Sequence, residues 1–197
     1  HLKKHNQNIE KTTNGLSWIL LIALALIWGS SFILIKKSLV GLTPIQVGSL
    51  RIFSAFVCFI PFYKKGLREV KKVKYKSILA SGLTGNLFPA FLFAIAQTQI
   101  QSSVSGVLNS LSPLFVLLIS VLVFKDSFKK IQILGLILGF VGCFILIGFK
   151  GNTFEFDINY YAIFILVATI CYGISANIIK YNLSDVNHIH ISSLALL

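Results

Sequence analysis

Apolar residues fill six long stretches of this chain, and the charged residues fall almost entirely between them in short clusters. A helix rising about 1.5 Å per residue crosses a hydrocarbon core of roughly 30 Å in about 20 residues. The pattern therefore predicts spans at Trp18–Val40, Ile45–Tyr63, Ser77–Gln97, Ser103–Phe124, Ile131–Phe149 and Tyr160–Lys180, with a seventh beginning near Ile189. Trp18, Tyr63, Tyr160 and Tyr161 sit at span ends, where amphipathic rings settle at the membrane interface. Lys3, Lys4 and Lys11 precede the first run as they would in a signal peptide. That run is too long for a signal's apolar region, and no small-residue cleavage site follows it, so an uncleaved helix is expected.

The last part of the chain echoes the first. Between Ala162 and Leu197, nine of thirty-six residues match, without a gap, those 144 positions earlier, including Gly29/Gly173, Ser31/Ser175, Ile35/Ile179, Lys36/Lys180 and Ser49-Leu50/Ser193-Leu194. Tyr172 answers Trp28. Five spans separate the two copies, and an odd number turns the second upside down. Inverted repeats of this kind accompany transport by alternating access, with a shared site at the midplane. The expected fold is an all-α integral membrane protein, a polytopic helix bundle of inverted five-helix repeats. Residues 1–17 form a tail, 18–150 the first repeat and 159–197 the start of the second.

Composition agrees with the spans. Apolar residues make up 55% of the chain and charged residues 12%, with a mean hydropathy of +0.82, far from the roughly 25% charge of a soluble domain. The chain lacks Met, starts at His1 and stops inside the apolar run Ser192–Leu197, so it reads as a fragment.

Of the 18 basic residues, 14 lie on one side if the N-terminus is cytoplasmic: three in the tail, seven between Lys64 and Lys76, three between Lys125 and Lys130, and Lys180. The opposite loops carry Lys150, offset by Glu155 and Asp157. Because Lys and Arg accumulate on the cytoplasmic side, the expected location is the cell's inner membrane with the N-terminus inside. The same basic loops face anionic lipid, which accounts for the net charge of +12 without nucleic acid as a partner.

Three cations remain inside spans. Lys36 and Lys37 lie near the outer end of the first helix, where snorkelling to the interface and a cavity role are both open. Arg51 is about seven residues, roughly 10 Å, inside the second. A charge at that depth usually faces a polar cavity, although a structural bond to backbone carbonyls is the alternative. All six acidic residues fall in loops or tails, so this stretch offers no intramembrane carboxylate as a proton relay.

Small and polar residues form helical stripes: Gly82, Asn86, Pro89, Phe93 and Gln97 on the third helix, and Ser102, Gly106, Asn109 and Pro113 on the fourth. Asn86 and Asn109 fit either the substrate path or helix packing, and the glycines fit packing better. Pro89 and Pro113 remove backbone bonds mid-span and are candidate kinks or gating points. Gly135, Gly139 and Gly142 on the fifth helix are expected to pack against a neighbour. Trp28, Lys36, Arg51, Asn86, Asn109, Tyr172 and Asn177 make up the candidate cavity set.

Other chemistry is thin. No H-E-x-x-H, G-x-S-x-G or intramembrane carboxylate pair points to an enzyme. His188 and His190 stand near Asp185, but two His do not specify a closed metal site, and a solvated loop is expected. Cys58, Cys143 and Cys171 are widely spaced in apolar runs and are expected to be small core residues. Neither a metal nor a cofactor is expected.

Trp28-Gly29-Ser30-Ser31-Phe32, followed by Lys36, Pro44 and Arg51, resembles the opening of an EamA domain of the drug/metabolite transporter superfamily. Ser102 through Pro113 to Lys125-Asp126, then Gln132, Gly135, Gly139 and Gly142, resembles that domain's fourth and fifth helices. The resemblance covers residues 18–149, and a second copy starts near Tyr160. Asp126 stands where the family more often has Glu, and Ala195 aligns with Arg51, so the second copy lacks that cation. The resemblance implies ten helices, of which about six and a half are present here. It also implies a central cavity and the export or exchange of amino acids or other small metabolites. A channel is the alternative.

Overall fold

The computed structural model describes residues 2–127, 130–150, 153–154 and 159–196. Glu155 and Asp157, the expected charges of an outer loop, lie outside the described residues. Helix α1 covers Leu2–Ser38 and α2 Pro44–Glu69. A single 3-10 turn, Lys72–Lys74, leads into α3 (Tyr75–Gly82), and a π turn at Leu83–Leu87 joins α3 to α4 (Phe88–Ala96). Then come α5 (Ser102–Asn109), α6 (Ser112–Phe124), α7 (Lys130–Gly148), α8 (Ala162–Asn182) and α9 (His188–Ala195). Phe149–Lys150 and Thr153–Phe154 pair as a two-residue antiparallel ladder.

Five segments are long and apolar enough to cross a membrane: Gly15–Ser38, Pro44–Glu69, Lys72–Ala96, Ser102–Phe124 and Ala162–Asn182. The expected fifth span appears as α7, with the shorter apolar stretch Ile131–Gly142, and the expected seventh begins as α9. The protein is a polytopic helical membrane protein.

Local chemistry sets the helix ends. Thr43 caps α2 through a reciprocal pair: Gln46 N donates to Thr43 Oγ1 at 3.3 Å, and Thr43 N donates to Gln46 Oε1 at 2.9 Å. Pro44 follows in the first turn, where its missing N–H costs nothing. At the end of α6, Lys125 adopts a left-handed conformation (φ 54°) that stops the helix and turns Asp126 back toward the bundle. Asn187 caps α9 by accepting from Ile189 N at 2.9 Å.

Contacts at helix ends give the directions. The end of α1 meets the end of α4 through Lys36, and the start of α5 through Ser102, whose hydroxyl donates to the Phe32 carbonyl. Asn159, just before α8, reaches Gln99 at that same end. The end of α2 meets the start of α9 at the other end, where Lys74 bonds Asp185 and Lys180 bonds Asp126. Thus α1 and α8 run in opposite senses, as do α2 and α9.

The main core joins Ile35, Phe93, Ala94, Leu108, Ile165 and Ala168, with α8 packed against α3 to α6. A smaller cluster of Val70, Ile78, Leu183 and Ile191 closes the opposite end. Without a strong hydrophobic drive inside lipid, small residues that let backbones approach carry the packing. A Cβ on Gly173 would sit 2.9 Å from the Phe115 carbonyl carbon, and one on Gly82 would run into the Ala195 carbonyl. The fifth-helix glycines behave differently from expectation. Nothing described lies within 4 Å of a Cβ built on Gly135, Gly139 or Gly142, because α7 stands at the edge of the bundle with Ile133, Ile137 and Leu138 exposed. Cys58 is also no core residue: it is exposed on α2, off the stripe through Gly48, Gly66 and Val70. Cys171 is half-buried.

Candidate functional site

Arg51 lies on the inward stripe of α2, half-buried. Its Nη1 donates to the Ala90 carbonyl of α4 at 3.4 Å, a long bond to an oxygen within a helix. The Tyr172 phenol of α8 lies beside the guanidinium. Tyr172 stacks on Phe93 with ring centroids 6.1 Å apart, and Phe93 tilts against Phe32 at 5.5 Å. A guanidinium has five N–H donors, and one long bond with a phenol neighbour leaves most of them free among the described residues. The result is a cation inside a span, between α2, α4 and α8, beside a phenol whose ring continues into the ring pair Phe93 and Phe32.

Lys36 is arranged otherwise. Its ammonium donates to the carbonyls of Gln97 (2.6 Å) and Ile100 (3.1 Å), which end α4. Helix C-termini leave carbonyls unpaired and partly negative, so Lys36 serves as a cap on a neighbouring helix. Lys37 is exposed. Beside Lys36, the Gln97 side chain is fully buried, and neither its amide nitrogen nor its oxygen has a partner among the described residues. Such orphans are rare in native interiors and mark sites in need of an explanation. The stripe from Phe93 placed Gln97 on this face; only the tertiary structure shows its amide unpaired.

Asn177 is buried at 1% exposure, and its Nδ2 donates to Val116 and Gly173, both at 2.8 Å. Its Oδ1 has no partner among the described residues. Asn177 lines a cavity of about 110 Å3 with Ser120, Asp126 and Lys180. Asp126 Oδ2 accepts from Lys180 Nζ (2.8 Å), Tyr181 Oη (2.6 Å) and Ser120 Oγ (3.1 Å). These bonds to the ionised form, Lys180 first, hold its carboxyl well below the usual range.

Trp28 is 59% exposed on α1, and no contact with Arg51 or Tyr172 is described for it. Asn86 is exposed rather than on the buried face with Gly82, Pro89 and Phe93. The π turn explains the difference: its wider winding rotates Asn86 off the stripe and presses Gly85 against Ser175 instead. Pro89 follows that turn in the first turn of α4, where its missing N–H is accommodated. Pro113 opens α6 just after a break at Ser110-Leu111, and Asn109, half-buried before the break, accepts from Ser112 Oγ through its carbonyl (2.7 Å) and side chain (3.3 Å). Of the candidate set, Arg51 and Tyr172 come together; Lys36, Asn86, Asn109, Asn177 and Trp28 occupy separate places.

His190 corrects an expectation. It is not in a solvated loop but buried on α9, with Nδ1 3.3 Å from Glu69 Oε2. Glu69, Lys71, Lys74, Asp185, Asn187 and His190 line a second cavity of about 400 Å3. His188 is exposed, and no cluster of three metal-ligating side chains occurs among the described residues.

Residues 15–148 match the model of the EamA-like transporter family. An uncharacterized transporter of Archaeoglobus fulgidus is 29% identical over 184 residues, 91% of this chain and 63% of its own length. A second from that organism is 30% identical, covering 66% of this chain and 40% of itself, and the uncharacterized transporter YoaV of Bacillus subtilis is 22% identical, covering 88% and 60%. The chain thus spans at most about three fifths of the length of these relatives. No solved structure matches it. With more than half of its length matched by the family model, the chain belongs to the EamA-like transporter family.

Proposed function

We propose that this chain forms the first repeat and part of the second in an inner-membrane carrier, N-terminus cytoplasmic, that exports or exchanges a small organic metabolite by alternating access. The observation that carries the reading is Arg51: a cation held within a span beside Tyr172, with donors to spare. A planar guanidinium matches a carboxylate or phosphate in two-point bonding, so the solute carries such a group, and amino acids are the first class to test. The opposite senses of α1 and α8, and of α2 and α9, support the inverted relation of the repeats. The six acidic residues of this stretch fall in tails, in loops or, as with Glu69, at the very end of a span, which favours transport driven by the solute's own gradient over proton coupling.

The test is a metabolite profile of the medium from cells producing the protein, compared with Arg51→Ala at matched membrane abundance. A solute that accumulates outside with the parent and not with the variant supports the reading; identical profiles for parent and empty vector oppose it. A channel would conduct without saturation and show no counterflow, whereas a carrier shows both. Orientation is read separately: Lys72→Cys in a Cys-free background reacts with an impermeant thiol reagent from the cytoplasmic side, and Val40→Cys from outside.

A further inference from the structure

We propose that the outer face of the α2–α3 turn, built from Lys64, Arg68, Lys72 and Lys76 around Val73, binds the phosphodiester headgroup of an anionic phospholipid. Seven basic residues lie between Lys64 and Lys76, but the structure divides them. Lys74 is committed to Asp185 (2.9 Å) and the Asn182 carbonyl (2.7 Å), Lys65 pairs with Glu69 (3.9 Å), and Lys71 lines the cavity beside Asp185. Glu69 also takes His190. Lys64, Arg68, Lys72 and Lys76 are exposed and have no acidic partner among the described residues.

All four are turned away from the bundle's buried faces. Gly66 and Val70 face the bundle on α2, with Gly66 against Ser193 and Leu194. Lys64 and Arg68 each lie two residues before them, about 200° around the helix, and so point away. Lys76 stands in the same relation to the buried Ile78 on α3. The turn is also braced: the Tyr75 hydroxyl donates to the Leu67 carbonyl at 3.3 Å, and Lys74 ties the turn to α8. The backbone that carries the cations is therefore fixed on both sides of the turn, with Lys64 and Arg68 one helical turn apart on α2 and Lys72 and Lys76 four residues apart across the start of α3.

Depth selects the ligand. About 20 residues from Pro44 bring α2 to Tyr63, so Lys64 to Glu69 add roughly 9 Å, comparable to the headgroup layer on one side of a bilayer. Val73, 78% exposed among the lysines, adds an apolar surface to the turn that glycerol-backbone and headgroup carbons of a lipid can cover. Cations near an anionic surface each favour binding about fivefold. A free anion would have no use for Val73. The inference is independent of what the protein carries.

The test uses purified protein in detergent with equal amounts of dioleoyl phosphatidylglycerol and dioleoyl phosphatidylcholine, and counts retained lipids by native mass spectrometry. The parent is expected to prefer phosphatidylglycerol by about fivefold or more. Lys64→Gln/Arg68→Gln/Lys72→Gln/Lys76→Gln brings the ratio near one, while Lys3→Gln/Lys4→Gln/Lys11→Gln/Lys125→Gln, which removes as many charges elsewhere on that side, keeps it. Val73→Asp leaves every cation in place and lowers the ratio. Equal losses in both quadruple variants would reduce the preference to diffuse charge and overturn the site. Displacement of the lipid by inorganic phosphate alone, or an unchanged ratio in the first variant, would overturn it as well.

Discussion

The Lys36 ammonium of α1 and the Gln97 carbonyl at the end of α4 are 2.6 Å apart, and a second bond to Ile100 at 3.1 Å completes the grip. Hydrogen bonds from a charged group are worth about 1.5–3 kcal/mol each, and helix-end carbonyls add a favourable dipole. Lys36→Met is expected to destabilise the protein by about 1.5–3 kcal/mol, with Lys36→Arg retaining part of the loss. Unfolding in mixed micelles measures it. If Lys36→Met unfolds like the parent yet transports poorly, the residue belongs to the substrate path instead.

Gln97 makes the opposite prediction. A buried amide without partners carries a desolvation penalty of about 1–3 kcal/mol, which a similarly sized apolar group avoids. Gln97→Leu should raise the thermal midpoint and reduce transport, because the amide's unfilled bonding capacity is what a solute or water in the path would use. A variant both more stable and fully active would place Gln97 outside the path.

Two glycine substitutions should part company. Gly173→Ala places a Cβ 2.9 Å from both Ile119 Cδ1 and the Phe115 carbonyl carbon, so α6 and α8 must separate, at a cost of about 1–3 kcal/mol. Gly139→Ala meets nothing within 4 Å and gains helix propensity, so its midpoint should equal or exceed the parent's. Equal losses in both variants would mean that α7 is packed after all.

Asp126 sets a pH prediction. Its folded carboxyl titrates below the usual range because Lys180, Tyr181 and Ser120 bond the ionised form, whereas the unfolded carboxyl titrates near about 3.9. A depressed folded value means the contribution is complete above the unfolded value and is lost as pH falls through the folded one. The difference in midpoint between the parent and Asp126→Asn should therefore be flat from pH 7 to about pH 5 and shrink below about pH 4. Shrinkage already between pH 7 and 6 would assign the link to another group.

The spans were legible because charge clusters bound the apolar runs at one end and short polar turns, Gly41 to Pro44 and Thr98 to Ser102, at the other, and the Thr43-Pro44 start of α2 is a local code. Asn86 was misplaced because the stripe from Gly82 to Gln97 assumes one helical period throughout. The π turn before Pro89 breaks that period, and the sequence shows the proline but not how the backbone absorbs it. His190 was misread for a different reason: its burial depends on Glu69 at the far end of α2, a tertiary contact that no local pattern carries. Arg51 stood out as a charge in the wrong solvent, but the neighbours it meets, the Ala90 carbonyl of α4 and the Tyr172 phenol of α8, come together only in the tertiary structure. Gln97 was visible on its stripe, though only packing reveals an amide left without partners.

Among the described residues, the polar links between the α8–α9 region and the earlier helices, the ion pairs Lys74 with Asp185 and Asp126 with Lys180 and the contact of His190 with Glu69, all lie at one end of the bundle. At the other end, Asn159 reaches Gln99 through a neutral 3.4 Å contact. The molecule is fastened like a book at its spine by charge, while apolar packing of Ile165 and Ala168 holds the pages toward the other edge. Exposed ion pairs weaken as ionic strength rises, so salt acts on the spine and leaves that edge almost untouched.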